Sequence, residues 1–216
     1  MKCHQKGGGL IKVKGTSKSY PCGLDPKNNN AEMTQYATVA ETCIVQLYDR
    51  VRYINSSASE RLDLSVNEKL QLRVSWNAWN KGDTASRGFE SFVKMFQDKP
   101  ETQQVFSFAK GSSVEQMQSS SKLLFHVTRV FKYINMVIEN LDKLENVVPL
   151  LRAAGGRHGC SGYNVPKDYF PHLGIAMRSL MKKELSNYTP SNDRLWERLY
   201  GFIVVQLCTG IDEYGA

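Results

Sequence analysis

Four histidines hold most of the chemistry this sequence could do, and their surroundings differ. His4 lies in a stretch rich in Gly, Lys and Asn, and His172 falls early in a helical pattern with no evident partner, so both read as structural or solvent-facing. His126 interrupts an apolar stripe in Leu124-Phe125-His126-Val127-Thr128-Arg129-Val130, and His158 ends the following periodic segment in Gly155-Gly156-Arg157-His158-Gly159. Taken singly, a histidine on an apolar face is more often a satisfied core residue than a ligand. Two of them on successive helices say more. A neutral imidazole is the usual protein ligand for haem iron, and two helices facing each other across a flat, apolar slot would set these rings on opposite faces of a porphyrin. Such a slot needs aromatic and aliphatic walls with a cation at its edge. Phe92, Phe106 and Phe108 can pack on a macrocycle, Val130 lies one turn beyond His126, and Arg129 turns away from the apolar stripe toward where propionates would emerge.

The elements that must position these residues are helices joined by short polar connections, with no convincing period-2 strand. Ser65-Val66-Asn67-Glu68 is a capping box that starts a helix carrying Leu70, Val74 and Trp76. A second helix begins near Asp83 or Thr84, with Phe89, Phe92, Val93 and Phe96 on one side, and stops at Lys99-Pro100. Gly88 permits a close helix crossing. The spacing then predicts one long helix from about Val114 to Leu141, with Leu123, Leu124, Val127, Val130, Phe131, Ile134, Val137, Ile138 and Leu141 inward. A shorter helix over about 144–157 carries His158 at its end, and two more follow over about 167–186, opened by Pro166, and 191–211, opened by Thr189-Pro190-Ser191. Count and length suit an all-α fold.

Composition bounds what this core can be attached to. The chain has 216 residues and a net charge of +7, and residues 1–30 alone hold six lysines and one aspartate among Gly, Asn and Ser. Those residues offer too little apolar surface to offset the entropy of ordering them, so 1–30 reads as a disordered basic tail. Residues 31–64 form an extension in which Tyr36, Val39, Ala40, Cys43, Ile44, Leu47, Val51 and Ile54 recur at three- and four-residue steps. That is an amphipathic helix over 32–54, suited either to packing on the main domain or to a homodimer or partner surface. The main domain is then 65–216. Five scattered cysteines with no C-x-x-C pair argue against a disulfide framework or zinc site and for a reducing, cytoplasmic setting. No run of 18 or more apolar residues and no secretory core are present, so membrane spanning and export are not expected. A basic tail can bind nucleic acid or anionic lipid but is more often simply solvated, so neither nucleic-acid binding nor membrane association is expected. Lys2 replaces the glycine that N-myristoylation needs, although Cys3 beside lysines could accept palmitate.

Taken in order along the chain, these residues resemble the globin family from about Ser65 to Tyr214, nearest in appearance to neuroglobin-like, invertebrate nerve and nematode-type globins. Ser75-Trp76 resembles the first-helix tryptophan, Gly88 the glycine at a helix crossing, Phe92 the residue over the distal pocket and Pro100 the proline opening the third helix. Phe106 resembles the phenylalanine wedged against haem, His126 and Val130 the distal histidine and valine, and Arg157-His158 the basic residue and proximal histidine. Leu195-Trp196-Glu197-Arg198-Leu199-Tyr200-Gly201 resembles the last helix of neuroglobin-like chains. The resemblance implies a globin fold of about seven to eight helices in a three-over-three sandwich around haem b (iron protoporphyrin IX). It implies iron ligation by His158 and His126, with Leu151, Val165 and Phe170 among the haem contacts. Against the pattern, the stretch from Phe106 to His126 is about two residues shorter and the segment after His158, with Cys160-Ser161-Gly162-Tyr163, about two longer. Ala154 is small where many globins have leucine, which leaves the packing to Leu150 or Leu151.

Three readings of function follow. In the first, O2, CO or NO binds ferrous iron with His126 donating a hydrogen bond, for storage, transport or sensing. In the second, His126 ligates the iron itself in a bis-histidyl redox globin that passes electrons to a partner, scavenges NO or reduces nitrite. No carboxylate or arginine is evidently placed as a peroxidase-type general acid, which ranks ligand binding ahead of an enzyme. In the third, the chain is a helical interaction module that has lost its haem, and the presence of both axial candidates weighs against it. Cys160, two residues past His158, could act as a redox handle if exposed, or be a plain packed or solvent thiol.

Overall fold

A computed structural model of the chain describes residues 61–215, in which all regular secondary structure is helical. The basic tail, the segment 32–54, His4, Cys3, Cys22 and Cys43 lie outside the described residues. Helix α1 spans Val66–Asn80 and opens on the expected capping box: the Ser65 hydroxyl accepts the Glu68 N–H, and the Glu68 carboxylate accepts the Ser65 N–H at 2.8 Å. Its buried face is Leu72, Trp76 and Trp79, while Leu70 and Val74 are exposed. Helix α2, Thr84–Asp98, is capped by Asp83 and ends where Pro100 starts a 3-10 turn, Pro100–Val105.

The single long helix expected over 114–141 is instead two. Helix α3, Val114–Gln118, is a short piece with its own capping box from Ser113 and Gln116, and α4, Ser121–Glu139, restarts after a break at Ser119 and Ser120. The cause is serine chemistry: the Ser120 hydroxyl accepts the Leu123 N–H, so it caps a new helix rather than continuing the old one. The helix expected from residue 144 begins later, because a 3-10 turn, Leu144–Asn146, precedes α5, Val148–Gly156, whose first turn contains Pro149. Helix α6, Phe170–Glu184, follows a 3-10 turn at Lys167–Tyr169, and α7, Pro190–Tyr214, starts on a capping box from Thr189.

Two layers result, α1, α4 and α5 over α2, α6 and α7. Between them α2 crosses α4, α5 crosses α7 and α1 touches α7, while α2 with α6 and α6 with α7 pack side by side. One end of the core is aromatic: Trp76 lies against Trp79, Phe131 and Trp196, with ring centroids 5.9, 6.2 and 5.9 Å away. The Trp196 indole N–H donates to Ser75 Oγ at 2.9 Å, which explains a serine buried beside tryptophan. Glycine sets both interlayer crossings. A Cβ on Gly88 would stand 2.6 Å from Val127 Cγ1, and one on Gly155 only 2.0 Å from the Leu207 carbonyl oxygen. Helix α5 therefore lies almost backbone to backbone on α7. Among the described residues no helix is long and apolar enough to cross a membrane.

Candidate functional site

Between α4 and α5, with α2, α6 and α7 as its walls, lies a cavity of about 140 Å³. Its lining includes Phe92, Phe106, His126, Arg129 and Val130 on one side, and Leu151, Arg157, His158, Val165 and Phe170 on the other. Phe108 is the exception among the residues singled out for the slot. It sits in the turn after the 3-10 segment and meets Phe106 edge-on, 5.7 Å between centroids, so it supports the wall without forming it. Leu151 is buried and faces the cavity while Leu150 is exposed, so Leu151 supplies the packing beside Ala154. His172 is half-buried outside the cavity, and Cys160 is exposed, its thiol 3.1 Å from the Gly215 carbonyl.

His126 projects from α4 into a cage of ring edges, 5.7 Å from Phe92 and 5.3 Å from Phe106. It has no hydrogen-bond partner among the described residues. Burial, with His158 and Arg129 nearby, pushes its pKa down to about 4, so the ring is neutral at pH 7 with a lone pair available. His158 follows α5 directly, and its Nδ1 lies 2.8 Å from the Ala154 carbonyl. A carbonyl only accepts, so Nδ1 carries the proton and Nε2 keeps a lone pair that could bind a metal. Burial again lowers this imidazole's pKa, with the Ala154 hydrogen bond acting in the opposite sense. The loop beyond is anchored back on the same residue, the Val165 N–H donating to the His158 carbonyl at 2.9 Å.

Sequence reasoning missed several tyrosines that line the cavity, among them Tyr133, Tyr163 and Tyr200. Tyr133 stands one helical turn beyond Arg129, a spacing that could have found it. Its hydroxyl accepts a hydrogen bond from Arg157 at 3.1 Å, bridging α4 to the end of α5. Tyr163 comes from the lengthened loop, with its ring 5.7 Å from that of His158, and no periodicity reaches it. Tyr200 is buried on α7 against Gly174 of α6, a contact visible only once the two helices are paired.

The two imidazoles face each other with centroids 6.3 Å apart and planes at 70°. Metal–imidazole bonds of roughly 2.0–2.1 Å, with about 1.2 Å from nitrogen to ring centre, put two rings that share one ion about 6.4 Å apart. Among the described residues no group of three or more His, Cys, Asp or Glu side chains could hold a metal ion. The pair thus suits an ion that brings its own equatorial ligands, and the apolar walls with two guanidinium groups at the edge suit a flat macrocycle bearing carboxylates. The sequence model of the family described as Globin matches residues 90–207, more than half of the chain. The chain belongs to the globin family. Among relatives, a polymeric globin (major component P1) of Glycera dibranchiata is 27% identical over 140 residues, 64% of this chain and 91% of that protein. A neuroglobin of Dissostichus mawsoni is 28% identical over 149 residues, 68% of this chain and 92% of its own length. As a globin, the protein is a haem protein that binds small gaseous ligands such as O2, and its all-helical fold is that of the family.

Proposed function

We propose that this globin holds haem b between His126 and His158 and reversibly binds O2, CO or NO there, for oxygen storage, transport or sensing. Bound haem supplies an iron with axial coordination positions and ferric–ferrous redox chemistry. The chain's residues do the rest. His158, its Nδ1 fixed by the Ala154 carbonyl, would hold the iron through Nε2. Phe92, Phe106, Val130, Leu151, Val165 and Phe170, which line the cavity, would exclude water from the bound group, and Arg129 and Arg157 would pair with its carboxylates. Two neutral imidazoles entering one apolar cavity from different helices carry the reading, and their 6.3 Å centroid separation is compatible with two ligands on one ion.

That same separation favours His126 as a sixth ligand in competition with the gas, which makes a bis-histidyl redox globin the second reading, with electron transfer, NO scavenging or nitrite reduction as its activities. His126 has no hydrogen bond to retain, so it is the ring that yields, and its N–H can then donate to a diatomic ligand. Visible absorption spectra of the ferric, dithionite-reduced and CO-treated protein test both readings. Sharp, resolved bands in the reduced form before CO are expected if His126 is the sixth ligand. One broad band that sharpens only with CO means an open site and an O2-storage or transport role.

A further inference from the structure

Nine basic side chains of the described residues pair with carboxylates within the domain. Lys69 and Arg73 pair with Asp142, Arg87 with Glu90 and Glu184, Lys94 with Asp98, Arg152 with Glu213 and Arg178 with Asp193 and Glu197. Among the described cations without a carboxylate partner, three share one face of α4, and Arg129 of these lines the cavity. Along α4, Lys122, Phe125, Arg129 and Lys132 follow at steps of three, four and three residues, which places them on one helical face, and all four are exposed. None of the three cations makes an ion pair among the described residues, nor does Arg157, which lines the same cavity and is held by Tyr133. No Asp or Glu lines the cavity. In the middle of the stripe Phe125 is 66% exposed, with the Arg129 guanidinium 5.6 Å from its ring centre.

We propose that this stripe, Lys122–Phe125–Arg129–Lys132, is the docking surface for an acidic one-electron carrier protein; the inference rests on the haem reading above. Unpaired cations around a redox centre steer an acidic partner to it and speed encounter, and an exposed aromatic ring among them supplies the desolvated contact around which such interfaces form. Once docked, the carrier loses one electron and is oxidised, and ferric iron gains it and becomes ferrous; no atom changes hands. A membrane surface fits less well, because it requires a continuous apolar face, and beside Phe125 the stripe offers only the edge of Leu124.

The test uses the haem-loaded full chain with a reduced plant-type ferredoxin, an acidic iron–sulfur protein, as probe. Stopped-flow reduction of the ferric protein is measured across ionic strength for the native chain, for Lys122→Glu/Lys132→Glu, and for Lys182→Glu/Lys183→Glu, which makes the same charge change on α6. Neither lysine of the first pair lines the cavity. The stripe variant is expected to lose about tenfold or more of the bimolecular rate at low salt and to converge on the native rate at high salt, while the α6 variant stays within about twofold. Titration of the ferredoxin into isotope-labelled protein should move the NMR resonances of Lys122, Phe125 and Lys132. Equal slowing by both variants, or shifts elsewhere, overturns the proposal. So does sedimentation with phosphatidylserine vesicles that the stripe variant loses and the α6 variant keeps, when ferredoxin shifts nothing, which would make the stripe a membrane contact. Absence of haem absorbance in the loaded sample would defeat the haem reading instead, and is scored separately from the binding shifts.

Discussion

His158 donates through Nδ1 to the Ala154 carbonyl, whereas His126 is surrounded by ring edges and makes no hydrogen bond among the described residues. In the haem complex proposed above, the anchored ring is the one oriented to hold the iron, and the unanchored ring is the one free to leave. His158→Ala should therefore weaken haem binding by more than about a hundredfold, read as the rate of haem transfer to an acceptor globin. His126→Leu should keep the haem and raise apparent CO affinity about tenfold or more, since an internal competitor is gone. An empty pocket in the His126 variant would reverse the two assignments. The residue types at this site were legible in the sequence because iron ligation needs imidazole and a porphyrin needs aromatic walls. Tyr163 was not, because the ring reaches His158 from a loop whose course no local pattern encodes.

At the scale of elements, α5 carries His158 and rests on α7 through glycine. A Cβ at Gly155 would lie 2.0 Å from the backbone oxygen of Leu207, and a Cβ at Gly210 would lie 1.9 Å from that of Arg152, so neither contact can be relieved by turning a side chain. Gly155→Ala should lift α5 from its partner, cost about 1–3 kcal/mol in urea unfolding of the haem-free protein, and speed haem loss. Gly88→Ala meets the Val127 methyl and the Phe131 ring instead, which can shift, and should cost less. Helix starts were readable from capping chemistry, as at Ser65, Asp83 and Thr189. The break between α3 and α4 was not, because apolar periodicity runs through Ser119 and Ser120 while the hydroxyl of Ser120 redirects the backbone hydrogen bonds.

For the molecule as a whole, the described residues supply both imidazoles and the aromatic walls of the cavity, and Leu62 and Leu64 already pack on the core just before α1. Removal of residues 1–60 should leave the haem absorption spectrum unchanged; a collapsed spectrum would place the segment 32–54 in the core. The sequence by itself determined the helical class, the capping residues, the two imidazoles and the aromatic wall, because these depend on residue chemistry and on the helical repeat. Only the tertiary structure decided that the imidazoles stand 6.3 Å apart, that Phe108 lies behind the wall, that Tyr133 holds Arg157, and that Arg129 and Arg157 line the cavity without a carboxylate partner among the described residues. Each of these depends on which helices meet and how closely, and at the crossing of α5 with α7 that distance is set by the absence of a Cβ on Gly155 and Gly210.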